Sequence, residues 1–198
     1  MKKLLLLSSL LILSVAAFAQ DTFSIVALDT ITREVGSAGA SCVPKSGFYP
    51  KGAYLISDVF PNRGAINSQA AYVTGNQQTA RAQMNANKSA QEIIDYVTAN
   101  DVNGTPEVRQ YGAVDFGPGS TPRSASYTGT DCMDYKNHIT GRYYSIQGNI
   151  LLGQSVLDSM EARFLNTQGT LADKLMAALQ GAKKEGADSR CAPYHTSS

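Results

Sequence analysis

The chain is predicted to fold as an α+β layered domain, and three observations predict it. Strand-like runs come in groups, each group is followed by a pair of segments with a helical apolar period, and the composition can build a core. Of 198 residues, 43% are hydrophobic and 17% charged, which is too apolar and too weakly charged for a disordered chain. The length suits one domain. Regular βαβ alternation, the pattern of a parallel sheet, does not occur.

The N-terminus reads as a signal peptide over residues 1–19. Lys2 and Lys3 precede an apolar run from Leu4 to Val15, and Ala17 and Ala19 bracket Phe18 in an A-x-A cleavage pattern. An apolar stretch of about 15 residues is short of the roughly 20 that span a bilayer core. No second span follows, so no integral membrane segment is expected after cleavage behind Ala19, and the domain occupies residues 20–198. This implies a secreted or periplasmic protein. Lys and Arg total 17 against 16 Asp and Glu, a net charge of +1; loss of Lys2 and Lys3 takes it to −1. Without a basic field, nucleic-acid binding lacks its main driving force.

In chain order, Thr22 to Ala27 mixes aromatic, β-branched and small residues, and the polar stretch Asp29 to Glu34 turns the chain into Val35 to Val43. Gly36, Ala38, Gly39 and Ala40 in that second strand leave little side chain to hold another layer away. Ala53 to Val59 and Ala65 to Val73 form a second strand pair around Pro61-Asn62-Arg63-Gly64. From Thr79 the residues Ala80, Met84, Ala90, Ile93, Ile94 and Val97 recur at helical spacing, with Asn87-Lys88-Ser89 dividing two helices. Val108 to Phe116 returns to strand before Gly117-Pro118-Gly119, and Tyr127 and Tyr143 to Ile146 mark further strands. The last third is helical: Val156, Leu157, Met160 and Phe164 share one face, and Leu171, Leu175, Met176, Ala178 and Leu179 another.

Export makes the cysteines candidates for oxidation. Cys42, Cys132 and Cys191 allow one disulfide and one thiol, with all three pairings open. No CxxC or HxxxH spacing exists and His138 and His195 lie in unrelated segments, so neither metal nor cofactor is expected. The P-loop and dinucleotide fingerprints are also missing.

Five polar positions are candidates for a site. His138 titrates near neutral pH and can act as acid or base, or can bond backbone groups in a turn. Gln147 and Asn149 alternate around Gly148, so their amides share one strand face and can bind a substrate, contribute to an oxyanion site or bond neighbouring strands. Gln69 is a further amide of the same kind. Asp188 can pair with Arg190 beside the site. Asp131 and Asp134 are only three apart, whereas glycosidase chemistry needs carboxylates opposed across a cleft.

The stretch Gly129-Thr130-Asp131-Cys132 through His138 to Gly141, followed by Gln147-Gly148-Asn149-Ile150, resembles the signature of domain-of-unknown-function family 1028. Thr22 to Ala27 with Glu34-Val35-Gly36 is similar to its opening hairpin, and Gly186 to Arg190 to its closing motif. Gln-Gly-Asn is the most specific element, and the likeness covers nearly all of the chain behind the leader.

The resemblance implies an N-terminal-nucleophile (Ntn) hydrolase-like architecture, a four-layer αββα sandwich of two antiparallel sheets flanked by helices. Family members continue past the Asp-Arg motif into another apolar strand, so a missing last strand is expected here. Some relatives carry a further module similar to peptidoglycan-binding ones. In such enzymes the first residue attacks an amide carbonyl while its own α-amine takes the proton. The resemblance points to Thr22 as that residue. Cleavage behind Ala19 leaves Gln20-Asp21 ahead of it and makes its nitrogen a non-basic amide, so the mechanism requires removal of two more residues. The expected function is hydrolysis of amide bonds in small peptides or cell-wall fragments. A non-catalytic module that binds an envelope ligand on the same fold is the alternative. Small-molecule or peptide ligands are the expected partners, and homo-oligomerisation is left open.

Overall fold

The computed structural model describes residues 22–42 and 51–196. The predicted leader and its cleavage point lie outside the described residues. Two antiparallel four-stranded sheets carry the fold, with strand orders β2-β1-β8-β7 and β3-β4-β5-β6. The strands are β1 (Thr22–Leu28), β2 (Val35–Ser41), β3 (Ser57–Phe60), β4 (Gly64–Ala70), β5 (Arg109–Phe116), β6 (Pro122–Thr128), β7 (Asn137–Gly141) and β8 (Tyr144–Asn149). Two helices follow β4, α1 (Thr74–Asn85) and α2 (Ala90–Ala99), and two follow β8, α3 (Gln154–Asn166) and α4 (Leu171–Gly181).

The layers follow from strand alternation. Phe23, Ile25 and Ala27 of β1 face α3 and α4, where Val156, Leu157, Met160, Phe164, Leu171 and Leu175 bury against them. Ile66, Tyr111 and Ala113 meet Met84, Ile93, Ile94 and Val97 of α1 and α2 on the other sheet. The remaining sheet faces turn toward each other, with β1 against β4 and β5, and β8 against β5 and β6. Burying β1 on both faces gives it no exposed residue.

Local chemistry sets the turns and helix starts. The Asp29 carboxylate accepts N–H bonds from Ile31 and Thr32 at 2.8 and 2.9 Å, closing the first hairpin. Ser89 with Glu92 and Thr170 with Asp173 form capping boxes that start α2 and α4. Asn87, at φ 60°, ends the α1 segment, at the break predicted between the two helices. Gly36 packs closely under α4: a Cβ there would lie 2.4 Å from Leu175 Cδ1, and that side chain would have to shift.

Three boundaries and one face residue differ from expectation. Ala53 to Val59 is not one strand: a 3₁₀ turn occupies Gly52–Ile56 and β3 begins at Ser57. Ile56 is used as a single plug against Gly39, so its apolarity reports packing rather than a ladder. Strand β4 ends at Ala70, whose φ of 66° turns the chain before Val73. Helix α1 starts at Thr74, ahead of the apolar period, because its polar first turn is buried. There Asn76 donates to Tyr111 Oη at 2.9 Å and to Asp101 Oδ2 at 2.5 Å, and accepts from Val102 N at 3.0 Å. Met176 is exposed rather than part of the apolar face of α4.

Two buried carboxylates pin helices to the β3–β6 sheet. Asp115 accepts from Arg63 Nη1 at 2.7 Å, from Ala90 N at 2.8 Å and from Arg123. Asp101 is paired with Arg109 at 2.7 Å, and both side chains are almost fully buried. No helix among the described residues is long and apolar enough to cross a membrane.

Candidate functional site

The space between the two sheets is divided into an apolar half and a polar half. Val26, Leu28, Ala65, Val114 and Phe116 fill one end. Toward the other end the same alternating positions carry Thr22 and Ser24 of β1, Asn67 and Gln69 of β4, Gln110 of β5, and Ser145, Gln147 and Asn149 of β8, all buried. Polar groups taken from water must find partners, and all of these but Asn67 Nδ2 find them, several across the seam.

Ser24 Oγ donates to Gln69 Oε1 at 2.6 Å and accepts from Gln147 Nε2 at 2.5 Å. Gln69 Nε2 donates to Gln110 Oε1 at 2.7 Å and to the Thr22 carbonyl at 3.1 Å. Gln110 ties the sheets most heavily. Its Nε2 reaches Thr128 Oγ1 at 2.9 Å, the Gly148 carbonyl at 2.9 Å and the Asn137 carbonyl at 3.1 Å, while its Oε1 also accepts from Asn149 Nδ2 at 3.1 Å. Gln147 Oε1 accepts from Ser145 Oγ at 2.7 Å. A Cβ on Gly112 would lie 2.0 Å from Gln147 Oε1, so the absence of a side chain on β5 opens the path for this glutamine.

Thr22 lies at the end of this seam. Its Oγ1 donates to Ser41 Oγ at 3.1 Å, and it sits opposite both Ser41 and Asn149 in the ladder. Adjacent strands are about 4.8 Å apart, so side chains paired on one face are neighbours. Beyond Ser41, a disulfide joins Cys42 to Cys191 with a Cα separation of 5.9 Å, and Cys132 is a buried free thiol. Asp188 is fully buried next to that bridge; it accepts from Cys42 N at 2.9 Å and pairs with Arg190 Nη2 at 3.3 Å. Burial raises the Asp188 carboxyl above its usual range and lowers the Arg190 guanidinium to about 10. The sulfurs of Cys42 and Cys191 approach the Asp188 carboxylate as three metal ligands would, but their bond to each other removes the thiolates that a metal needs.

Five of the six sequence candidates, Thr22, Gln69, Gln147, Asn149 and Asp188, therefore collect at one end of the seam. His138 borders this network from the next strand, β7. It pairs with Gln147 on β7, and Gln147 in turn faces Ser24, which puts it about 10 Å from β1 across two strand spacings. Its Nδ1 lies 2.9 Å from Thr128 Oγ1, which also accepts from Gln110 Nε2, and burial lowers its pKa. Gln110 and Ser24, central to the seam, were not among the sequence candidates; their only signal is a polar residue at an inward position of a strand. Cavities of about 410 and 280 Å³ lie outside the seam, the first against Arg33, Pro61 and Leu171, the second against Lys51, Tyr72 and Arg81. Neither includes Thr22, His138 or Asn149.

The model of a family of unknown function, DUF1028, matches residues 22–197. No curated protein matches. Among solved structures, protein SPO2555 from Silicibacter pomeroyi, a DUF1028 protein by its description, is similar over 81% of this chain and 69% of its own, at 27% identity and a TM-score of 0.68.

Proposed function

The chain belongs to the DUF1028 family of unknown function, and on that premise we propose that it is an exported N-terminal-nucleophile-type hydrolase acting on amide bonds of small peptides or cell-wall fragments. The observation that carries the reading is the position of Thr22: the first residue of β1, with its hydroxyl turned into the polar end of the seam between two sheets. The stacking of helices, two facing sheets and helices supports the Ntn-hydrolase-like sandwich. The Cys42–Cys191 bridge supports an oxidising compartment.

In this mechanism residues 1–21 are removed and the freed Thr22 α-amine, whose ordinary pKa is about 7.7–8.0, is a neutral base near pH 8. The amine takes the hydroxyl proton as Oγ1 attacks the amide carbon. The C–N bond then breaks, and the leaving amine departs with that proton. Water hydrolyses the resulting threonyl ester and releases the acid. Asn149, opposite Thr22, is the nearby amide whose N–H can support the developing oxyanion. Gln69 holds the Thr22 carbonyl and so fixes the nucleophile's backbone. His138, on β7, reaches the seam network through Thr128 Oγ1, which also accepts from Gln110, and no proton transfer is assigned to it in this reading.

The test compares processed wild-type protein with Thr22→Ser and Thr22→Ala on a library of N-acylated dipeptides and muropeptide fragments, following released amine. Retained turnover in the serine variant and loss by at least 10³-fold in the alanine variant, with unchanged circular dichroism, are expected. Equal turnover in the alanine variant would exclude Thr22 as nucleophile.

A further inference from the structure

A second polar concavity lies on the β3 side of the Thr22 end. It encloses about 280 Å³ between the 3₁₀ turn at Gly52–Ile56, strand β3 and the first turns of α1. This is just below the range of about 300–1,000 Å³ for drug-sized ligands, so it suits a small group. The turn that forms its wall is seated on Gly39 of β2 through Ile56, and Gly39 pairs with Ser24 of β1. The wall is thus tied, through Ile56 and Gly39, to the strand that pairs with β1.

Its charges do not cancel. Arg81 clasps Asp58 through Nη2 at 2.6 Å and Nε at 3.3 Å, which uses up the only carboxylate among the described lining residues. Lys51 has no carboxylate partner among the described residues; its ammonium lies 5.8 Å from the Tyr54 ring centroid at the exposed mouth. The Tyr72 hydroxyl donates to Gln77 Oε1 at 2.5 Å. The floor residue Ser57 donates to Asn67 Oδ1 at 2.9 Å, and behind it the buried Asn67 Nδ2 has no partner. An unneutralised ammonium, side-chain amides and aromatic faces in a small cavity match a carboxylate on a short, peptide-like body.

We propose that this cavity, lined by Lys51, Tyr54, Tyr72 and Arg81, binds the carboxylate of a small peptide ligand. The binding stands on the cavity itself; its role in substrate selection rests on the Thr22 reading. On the Thr22 reading, a ligand whose acid is seated here is preferred over the corresponding amide. Either a free C-terminus or an acidic side chain supplies the group.

Calorimetric titration of the processed protein that begins at residue 22, wild type and Thr22→Ala, with three N-acetyl dipeptides tests this: one with a free C-terminus, one C-terminally amidated, and one amidated with a glutamate side chain. At least one acid-bearing probe is expected to bind about tenfold or more tightly than the neutral one, as one charge-assisted contact gives. Which acid gains identifies the source. Lys51→Gln, a change at an exposed side chain, should erase the difference while leaving the melting temperature unchanged. Equal affinity for all three probes, no binding at all, or an acid preference that survives in Lys51→Gln would overturn the proposal. Acid-selective binding without wild-type turnover would sink the Thr22 reading and leave the cavity's role intact, whereas turnover without acid selectivity would do the reverse.

Discussion

Gln110→Leu is the sharpest probe of what holds the two sheets together. The side chain is fully buried and makes five hydrogen bonds, three donated to the opposite sheet and its own neighbour and two accepted from Gln69 and Asn149. Leucine is near in size, so little cavity opens and the cost is mainly electrostatic. Asn149 Nδ2 loses its acceptor and Gln69 Nε2 loses the shortest of its bonds. At about 1–3 kcal/mol for each buried group left short, the two together cost about 2–6 kcal/mol. Backbone carbonyls of Asn137 and Gly148 lose a second donor but keep their places in the β7–β8 ladder. Urea unfolding, with a thermal melt alongside, measures the loss, and a value near 3 kcal/mol corresponds to about 6–12 °C at this chain length. Gln110→Glu sets the sign of the electrostatics. Its carboxylate would face the Asn137 and Gly148 carbonyls and destabilise strongly at neutral pH, with partial relief in acid, where a protonated carboxyl can donate. If Gln110→Leu unfolds within 0.5 kcal/mol of wild type, the seam is held by packing alone and the hydrogen-bond account of it is wrong.

The Cys42–Cys191 bridge spans 149 residues, and chain entropy then assigns it about 5 kcal/mol; Cys42→Ser with Cys191→Ser should approach that loss in denaturant, and non-reducing peptide mapping should find Cys132 unpaired. The Asp101 pKa is subject to burial, which pushes it up, but hydrogen bonds from Arg109 and backbone N–H groups outweigh this and hold it well below the carboxylate range. Its stabilisation is therefore full above the unfolded value of about 3.9 and is lost as pH falls toward the folded value; Asp101→Asn should flatten the slope of stability against pH below pH 4, and an unchanged slope would contradict the pairing. Asp115→Ala takes the carboxylate partner from Arg63 and Arg123 and the acceptor from Ala90 N at the start of α2, and a loss of about 3–5 kcal/mol is expected from chemical denaturation.

Much of the fold was legible because apolar period and burial coincide. Phe164, Leu157 and Met160 sit where the period puts them, and Asn87 to Ser89 divides two helices because a positive φ and a capping box both lie there. Ile56 misled because a lone plug looks like part of a strand. The start of α1 was hidden because Asn76 earns its burial from partners on Asp101, Val102 and Tyr111, far along the chain. At the site, the alternation of Gln147 and Asn149 correctly put both amides on one face. Gln110 stayed hidden because nothing local separates a strand glutamine that faces solvent from one that bridges two sheets. The pairing of Cys42 with Cys191 likewise depends on where β2 ends relative to Asp188, a relation only the assembled sheets supply.

The proposed chemistry reduces to the chemical state of one nitrogen, and intact-mass and N-terminal sequencing of the amide-cleaving fraction reads it directly. A polypeptide whose first residue is Thr22 is the predicted result. Full activity in chains that still carry Gln20 and Asp21 would contradict it.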